Sequence, residues 1–397
     1  MAYDYSELFK SEDGIGDTWE SFYNDELTLA QNLLVVLKQT IFLPYDFYDI
    51  IAAYFMLPSA LCKVVPYLFL NGQSGSGKST VAKVASYLHG SPINSSSDTF
   101  AAIRNSLSGR KKAWAYRQGA EPGEVGSAVA VESNICMVWD DVSASTFTNS
   151  PELYNMFKFG YDKSTDKIIV SSRETGINIE FRCFCPKIFS SITPLHLDDR
   201  FKELKRRLIV IPCKRVEELT DERKSELGIT DGNWQSKLLD LHGLNWKGFS
   251  KLFEDFWDVE LAHSFITTRG ILSKSVQGLG SQYRTISLDL MACGIASGVW
   301  SDDAEAVSRM KDYWDWFKKE TEKSAGLSNL LRDFVNTEAR NAKSAGIGLQ
   351  LYTAQIRSQV DIWVQQEWLF EAPRPKDIKE CLLDLGLRLQ KGKWSKG

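Results

Sequence analysis

The stretch that most restricts this chain is Tyr-Leu-Phe-Leu-Asn-Gly-Gln-Ser-Gly-Ser-Gly-Lys-Ser-Thr, residues 67–80. Gly72, Gly77, Lys78 and Ser79 satisfy G-x-x-x-x-G-K-[ST], a pattern that carries meaning only between a strand and a helix. Both flanks are present: four apolar residues precede the loop, and Val81, Val84, Ala85 and Leu88 follow at helical spacing. In that setting Gly72, Gln73, Ser74, Gly75, Ser76, Gly77, Lys78, Ser79 and Thr80 form a candidate triphosphate cradle. The glycines let backbone N–H groups approach phosphate oxygens, Lys78 reaches the β- and γ-phosphates, and Ser79 binds Mg²⁺. The cofactors expected are therefore ATP and Mg²⁺.

Hydrolysis also needs carboxylates delivered to the metal and to the attacking water. Ile135–Trp139 is an apolar run ending in Asp140 and Asp141, sixty-two residues after Lys78. Asp140 is assigned to Mg²⁺ through water, and Asp141 to polarising the nucleophile. A third run, 187–194, ends in hydroxyls, and Ser191 or Thr193 is the candidate to sense the γ-phosphate. Arg200, Arg206 and Arg207 stand just ahead of another apolar run, 208–212, where a guanidinium costs desolvation unless an anion meets it. The nucleotide of a neighbouring subunit would be such an anion, which makes these arginines candidate fingers acting across a ring; a solvated basic helix face is the alternative.

Between the acid run and the hydroxyl run, two β-rich segments, 167–170 and 177–184, flank Ser-Ser-Arg-Glu-Thr-Gly. The spacing predicts a hairpin with Arg173 near its tip and Lys163 and Lys167 on its approach. These three cations are candidates for following a polynucleotide backbone in a central channel, or they are ordinary surface charges. A second stretch interleaves Arg104, Arg110, Lys111, Lys112 and Arg117 with Trp114 and Tyr116, the composition of a single-strand platform or of a solvated loop.

The wider chain sets the frame. With 397 residues, 43% hydrophobic and 25% charged, it is a globular protein of two or three units. A net charge of −4 restricts any nucleic-acid contact to local patches. Seven cysteines without a C-x-x-C pair indicate neither a zinc site nor a disulfide framework and fit a reducing, intracellular, cytoplasmic setting. The opening residues lack an apolar signal core, and the greasy region 41–70 is broken by charges and prolines, so no membrane association is expected. The expected fold class is α/β, a three-layer P-loop NTPase core. Residues 1–66 read as an acidic arm and N-terminal helices that brace the first strand, 67–215 as the core, 216–300 as a helical lid, and 301–397 as a C-terminal winged-helix-like domain. Arg284 in the lid is a weaker candidate for touching nucleotide.

The order of phosphate loop, aspartate pair, hairpin, hydroxyl strand, arginine pair and final strand resembles the superfamily 3 helicases of viruses and plasmids and the related AAA+ ATPases of phage and mobile-element replication proteins. The resemblance covers about 67–213. It implies that Lys78 and Ser79 are the phosphate-loop residues, Asp140 and Asp141 the second acidic motif, Arg173 the pore hairpin, and Arg206 or Arg207 the finger. Where the family usually ends its sensing strand in asparagine, this chain has Ser191 and Thr193. The expected function is a ring-forming, hexameric, Mg-ATP-dependent DNA motor, a replicative helicase with single-stranded DNA in its channel. An ATP-gated regulator or loader that does not unwind is the alternative, and a small-molecule kinase a third reading.

Overall fold

The computed structural model describes residues 26–95, 98–104, 136–171, 178–241, 246–277, 279–323, 327–365, 373, 375–390 and 392–396. It divides into two compact units, one drawn from Met1–Thr193 and Glu203–Tyr313, the other from Pro194–Lys202 and Trp314–Gly397.

Five strands build the centre of the first unit: β1 (Tyr67–Asn71), β2 (Ile93–Asn94), β3 (Met137–Trp139), β6 (Lys187–Ser191) and β7 (Leu208–Pro212). They run parallel in the order β2-β3-β6-β1-β7. The architecture is α/β. Tyr67, Leu68, Phe69 and Leu70 are all buried, as expected of a central parallel strand covered on both faces, which reads as one apolar run rather than an alternation. Because β1 is flanked on both sides, the loop leaving its C-terminal end has only one direction in which to open, the carboxyl edge where ligands sit in open parallel sheets.

The N-terminal helices Leu29–Lys38 and Tyr48–Phe55 support that strand. The Tyr54 hydroxyl donates to the Pro66 carbonyl at 2.9 Å and accepts from the Lys187 N–H at 3.1 Å, fastening the second helix to the starts of β1 and β6. Helix Ser281–Ser297 also packs on it, with the Cys293 thiol donating to the Ala53 carbonyl at 3.2 Å. Within helix Ser281–Ser297, a Cβ at Gly294 would lie 2.1 Å from the Trp300 ring, so glycine there makes room for the indole whose Nε1 donates to Asp49 at 2.7 Å.

Strands β4 (Lys167–Ser171) and β5 (Asn178–Arg182) form a separate antiparallel pair with Lys167 opposite Arg182 and Ser171 opposite Asn178. The two strands of the expected hairpin are therefore paired, the second over 178–182, while the segment between them lies outside the described residues. The base of the pair is tied down twice. Asp166 holds Arg182 at 3.0 Å, and Lys187, with no exposed surface, donates from Nζ to the carbonyls of Gly160, Cys183 and Cys185 at 3.2, 2.7 and 3.2 Å. The same ammonium lies 4.8 Å from the Tyr67 ring centre, so three carbonyl dipoles and a π face replace the water it lacks.

Helix Val259–Ser275 is joined to helix Ser281–Ser297 by an ion pair between Arg269 and the fully buried Asp289. Burial pushes the Asp289 carboxyl up to about 6, against the opposing pull of Arg269. The folded chain then holds this proton more tightly than the unfolded chain, so the stabilisation is complete below the ordinary carboxylate range and is lost as pH rises through about 6. The full swing is about 3 kcal/mol at 1.4 kcal/mol per pH unit. Chemical denaturation of wild type and Asp289→Asn between pH 4 and 7.5 should show the variant gaining on wild type as pH rises. A constant difference would mean that the carboxylate stays ionised.

In the second unit, helix Leu327–Ser344, strand β8 (Gln350–Tyr352), helices Thr353–Gln365 and Pro375–Asp384, and strands β9 (Leu387–Gln390) and β10 (Lys393–Lys396) follow one another. The antiparallel sheet has the order β8-β10-β9. Its core joins Leu331, Leu351, Ile356, Leu382, Leu387 and Trp394. Among the described residues, no helix is long and apolar enough to cross a membrane.

Candidate functional site

The loop after β1 has the backbone that its glycines permit. Gly75 and Gly77 have φ of +81° and +84°, left-handed values that are costly for residues with a Cβ. Gly72 is required for space instead: a Cβ there would sit 1.9 Å from the Cys213 carbonyl oxygen. Helix Lys78–Leu88 then begins, aiming its free N–H groups back into the loop.

Lys78 is 7% exposed, and its Nζ donates to the carbonyls of Gly72 and Gln73, both at 2.7 Å. Burial lowers its pKa, while Cys213, Asp140 and Asp141 pull it the other way. The ammonium therefore spans the loop it belongs to, held by carbonyls that an anionic oxygen can replace. The Ser76 hydroxyl is buried with no hydrogen-bond partner, a polar atom in the cradle that protein groups leave unsatisfied.

Asp140 and Asp141 follow β3, and the end of β6 fixes them. The Ser190 hydroxyl donates to Asp140 Oδ1 at 2.5 Å and accepts the Asp141 N–H at 2.9 Å. Val142 N–H donates to the Ser190 carbonyl at 2.7 Å. Among the described residues, Asp141 alone has a positive φ without being glycine, at +57°, which turns its carboxylate out of the strand line. The Asn71 amide closes the other side by donating to the Ser191 and Ile192 carbonyls at 3.1 and 3.3 Å.

One cavity of about 780 Å³ joins these parts. Ser74 through Thr80, Asp140, Asp141 and Ser190 line it, as do the apolar side chains of Ile41, Phe42, Ile192, Val216, Trp234 and Leu238 and the cations Lys214 and Arg215. The arrangement offers a cationic, N–H-rich cradle, two carboxylates facing it and an apolar slot beside it. An anion with an attached flat apolar group fits those surfaces. Ser79 and Asp140 supply oxygen donors of the kind a hard divalent cation takes; among the described residues no cluster of three or more His, Cys, Asp or Glu could hold a metal unaided.

The remaining expected residues lie elsewhere. Ser191 accepts from the Thr193 N–H at 3.0 Å, and neither lines the cavity; the hydroxyl that meets the acid pair is Ser190, one position earlier. Arg200, in the second unit, donates to both oxygens of Asp198 from Nε at 2.9 and 3.0 Å. Arg206 is paired with Glu203 with its side chain 53% exposed. Arg207 is 12% exposed, with its guanidinium 5.5 Å from the Tyr161 ring centre and bonded to the Glu203 carbonyl. None of the three lines the cavity.

Of the polynucleotide candidates, Lys163 Nζ donates to the Ala60 carbonyl at 3.0 Å and its side chain is exposed. Lys167 opens β4, and Arg173 lies outside the described residues. So do Arg110, Lys111, Lys112, Trp114, Tyr116 and Arg117, whereas Arg104 lies 5.6 Å from the Phe100 ring centre. Arg284 donates to the Val276 and Ser273 carbonyls at 2.8 and 2.6 Å, capping the helix that ends at Ser275. Sequence reasoning passed over Lys214 and Arg215, although two adjacent cations directly after the last apolar run were a visible signal. It also passed over Ile41, Phe42 and Trp234, which reach the cavity only through tertiary packing.

No protein-family model matches the chain, and no curated protein matches it. Among solved structures, one described as "SCCmec type IV Cch - active helicase" is similar, with a TM-score of 0.40 and 13% identity, over 94% of this chain and 70% of that one.

Proposed function

We propose that this protein hydrolyses Mg-ATP in the cavity beneath its glycine loop. The observation that carries the reading is the convergence of Lys78, Ser79, Asp140 and Asp141 on one cavity at the carboxyl edge of a parallel sheet. The loop N–H groups and Lys78 hold the phosphates. Ser79 and Asp140, the latter through water, would hold Mg²⁺, which would supply charge neutralisation at the phosphates. Asp141 orients a water whose oxygen bonds to the γ-phosphorus as the bond to the β,γ-bridging oxygen breaks. The electron pair leaves with ADP, and the proton of the water passes to Asp141 and on to solvent. Ser190 holds the Asp140 carboxylate and the Asp141 backbone N–H. Ile41, Phe42 and Trp234 form the slot for the base.

The proposal extends to a ring-forming DNA motor, a replicative helicase of a virus, phage, plasmid or other mobile element. Its support is the motif order shared with superfamily 3 and AAA+ proteins, together with the β4–β5 hairpin between the acid strand and the hydroxyl strand. We read the second unit, with its helix-strand-helix-helix-strand-strand order, as a winged-helix-like module that contacts duplex DNA or a partner. The test is hydrolysis by the purified protein with and without single-stranded DNA, unwinding of a forked duplex, and imaging with a non-hydrolysable nucleotide. Rings, DNA-stimulated turnover and strand displacement are the expected results. Turnover without DNA binding or unwinding would replace the motor with an ATP-gated regulator or loader, and no ATP binding would remove the ATPase itself.

A further inference from the structure

Strand β7 ends at Pro212, and the next residue is pressed against the start of the glycine loop. Cys213 N–H donates to the Asn71 carbonyl at 2.7 Å, and the Cys213 carbonyl fills the space that any side chain at Gly72 would need. The chain therefore has to pass alongside the loop, and Lys214 and Arg215 are set down on the cavity rim. The backbone N–H of Arg215 is anchored by Glu218 at 3.0 Å. Its Nε donates to the Ser74 carbonyl at 2.7 Å.

This contact has a parallel in the same loop. Lys78 also rests its charge on loop carbonyls, those of Gly72 and Gln73. A backbone carbonyl offers a full positive charge only a dipole, whereas a phosphate oxygen carries a full negative charge and attracts it more strongly. Both cations are thus held at the loop by contacts that an arriving anion outcompetes. Among the described residues the two Nη groups of Arg215 have no protein partner, leaving the forked face of the guanidinium available for bidentate contact. The charged residues that line the cavity with Arg215 are Lys78 and Lys214, of its own sign, and Asp140, Asp141 and Glu217, of the opposite sign. The Lys78 ammonium feels both Arg215 and the acid pair, so all four charges act on one small volume. Arg215 is also the one arginine lining this cavity among the described residues, whereas Arg206 and Arg207 are paired with Glu203.

We infer that Arg215 contacts the terminal phosphate of the nucleotide bound in its own subunit, exchanging the Ser74 carbonyl for γ-phosphate oxygens as charge spreads onto them during transfer. The inference rests on the ATPase reading and adds a catalytic arginine supplied in cis, independent of any arginine given by a neighbour. No atoms are exchanged with Arg215; its role is to neutralise charge that grows in the transition state.

Arg215→Gln tests this, because the amide can still donate to the Ser74 carbonyl and brace the loop while the charge is gone. ATP binding, followed with a fluorescent analogue, should stay within about threefold of wild type, whereas turnover should fall about 100-fold or more, the range for loss of a charge-stabilising donor. Trapping of ADP with aluminium fluoride, which imitates the transferring phosphoryl group, should be lost while ADP binding persists. A role confined to loop bracing would leave Arg215→Gln at wild-type turnover and trapping, which overturns the inference. Mixing Lys78→Ala with Arg215→Gln protein adds a second check: with Arg215 working in cis no site is complete and turnover stays low, whereas recovered turnover would place its action in a neighbouring subunit. Failure of the unmutated protein to bind ATP would instead overturn the ATPase reading, a result distinguishable from either outcome in the variants.

Discussion

Lys78→Ala should abolish ATP turnover while leaving the fold intact. Lys78 is the cation at the centre of the cradle, 7% exposed and hydrogen-bonded to Gly72 and Gln73. No neighbouring residue can put an ammonium at that point, because Lys214 and Arg215 approach from the rim. Stabilisation of transferring phosphoryl charge in a site of this kind is worth about 10³-fold in rate or more, so phosphate release should drop to background. Stability should move the other way or not at all. Burial already lowers the pKa of Lys78, which means that the empty cradle bears a desolvation cost for the charge, and two rim carbonyls can turn to water when the ammonium goes. Equal or higher melting temperature with no turnover is the expected pair of results, and full turnover in Lys78→Ala would remove the proposed chemistry.

Asp141 gives the second large effect, and two variants separate its charge from its backbone. Asparagine tolerates a left-handed conformation about as well as aspartate, so Asp141→Asn should preserve the +57° turn and the N–H bond to Ser190. What it loses is the carboxylate that the proposed mechanism uses to accept the proton of the water, and on that mechanism turnover should fall by about 10²- to 10⁴-fold. Asp141→Ala meets the same chemical deficit and in addition places a Cβ at positive φ without a polar side chain to compensate, at a cost of about 1 kcal/mol. Denaturant midpoints should therefore rank wild type with Asp141→Asn above Asp141→Ala, with both variants inactive. Turnover retained in Asp141→Asn would transfer the water-orienting role to another residue, with Ser190 first in line.

The parts of the molecule legible in the sequence are those that local physics determines. A strand buried on both faces is mostly apolar, which is why 67–70, 135–139 and 208–212, together with 187–190 through Ile188 and Phe189, identified four of the five core strands, and glycines at fixed spacing before Lys78 identified the loop. The hairpin was legible because two β-rich runs bracket a turn of small and polar residues. What stayed hidden depends on partners distant in the chain. Ser190 and Ser191 are adjacent hydroxyls, and only the pairing of β6 with β3 and β1 decides which of them meets Asp140. An arginine looks the same whether its partner is Glu203, Tyr161 or the Ser74 carbonyl, so Arg206, Arg207 and Arg215 could not be sorted by composition. Trp234 and Phe42 are separated by almost two hundred residues and come to line one cavity only after folding.

The ammonium of Lys187 has a mechanical consequence. It is riveted by three carbonyls at the root of the β4–β5 hairpin, and it belongs to the strand whose other end carries Ser190. A force that tilts the hairpin cannot be absorbed by slack at that root, because loosening the rivet would strand a full charge in a dry interior. The root of the hairpin and the start of β6 are therefore held together at a lysine that solvent does not reach.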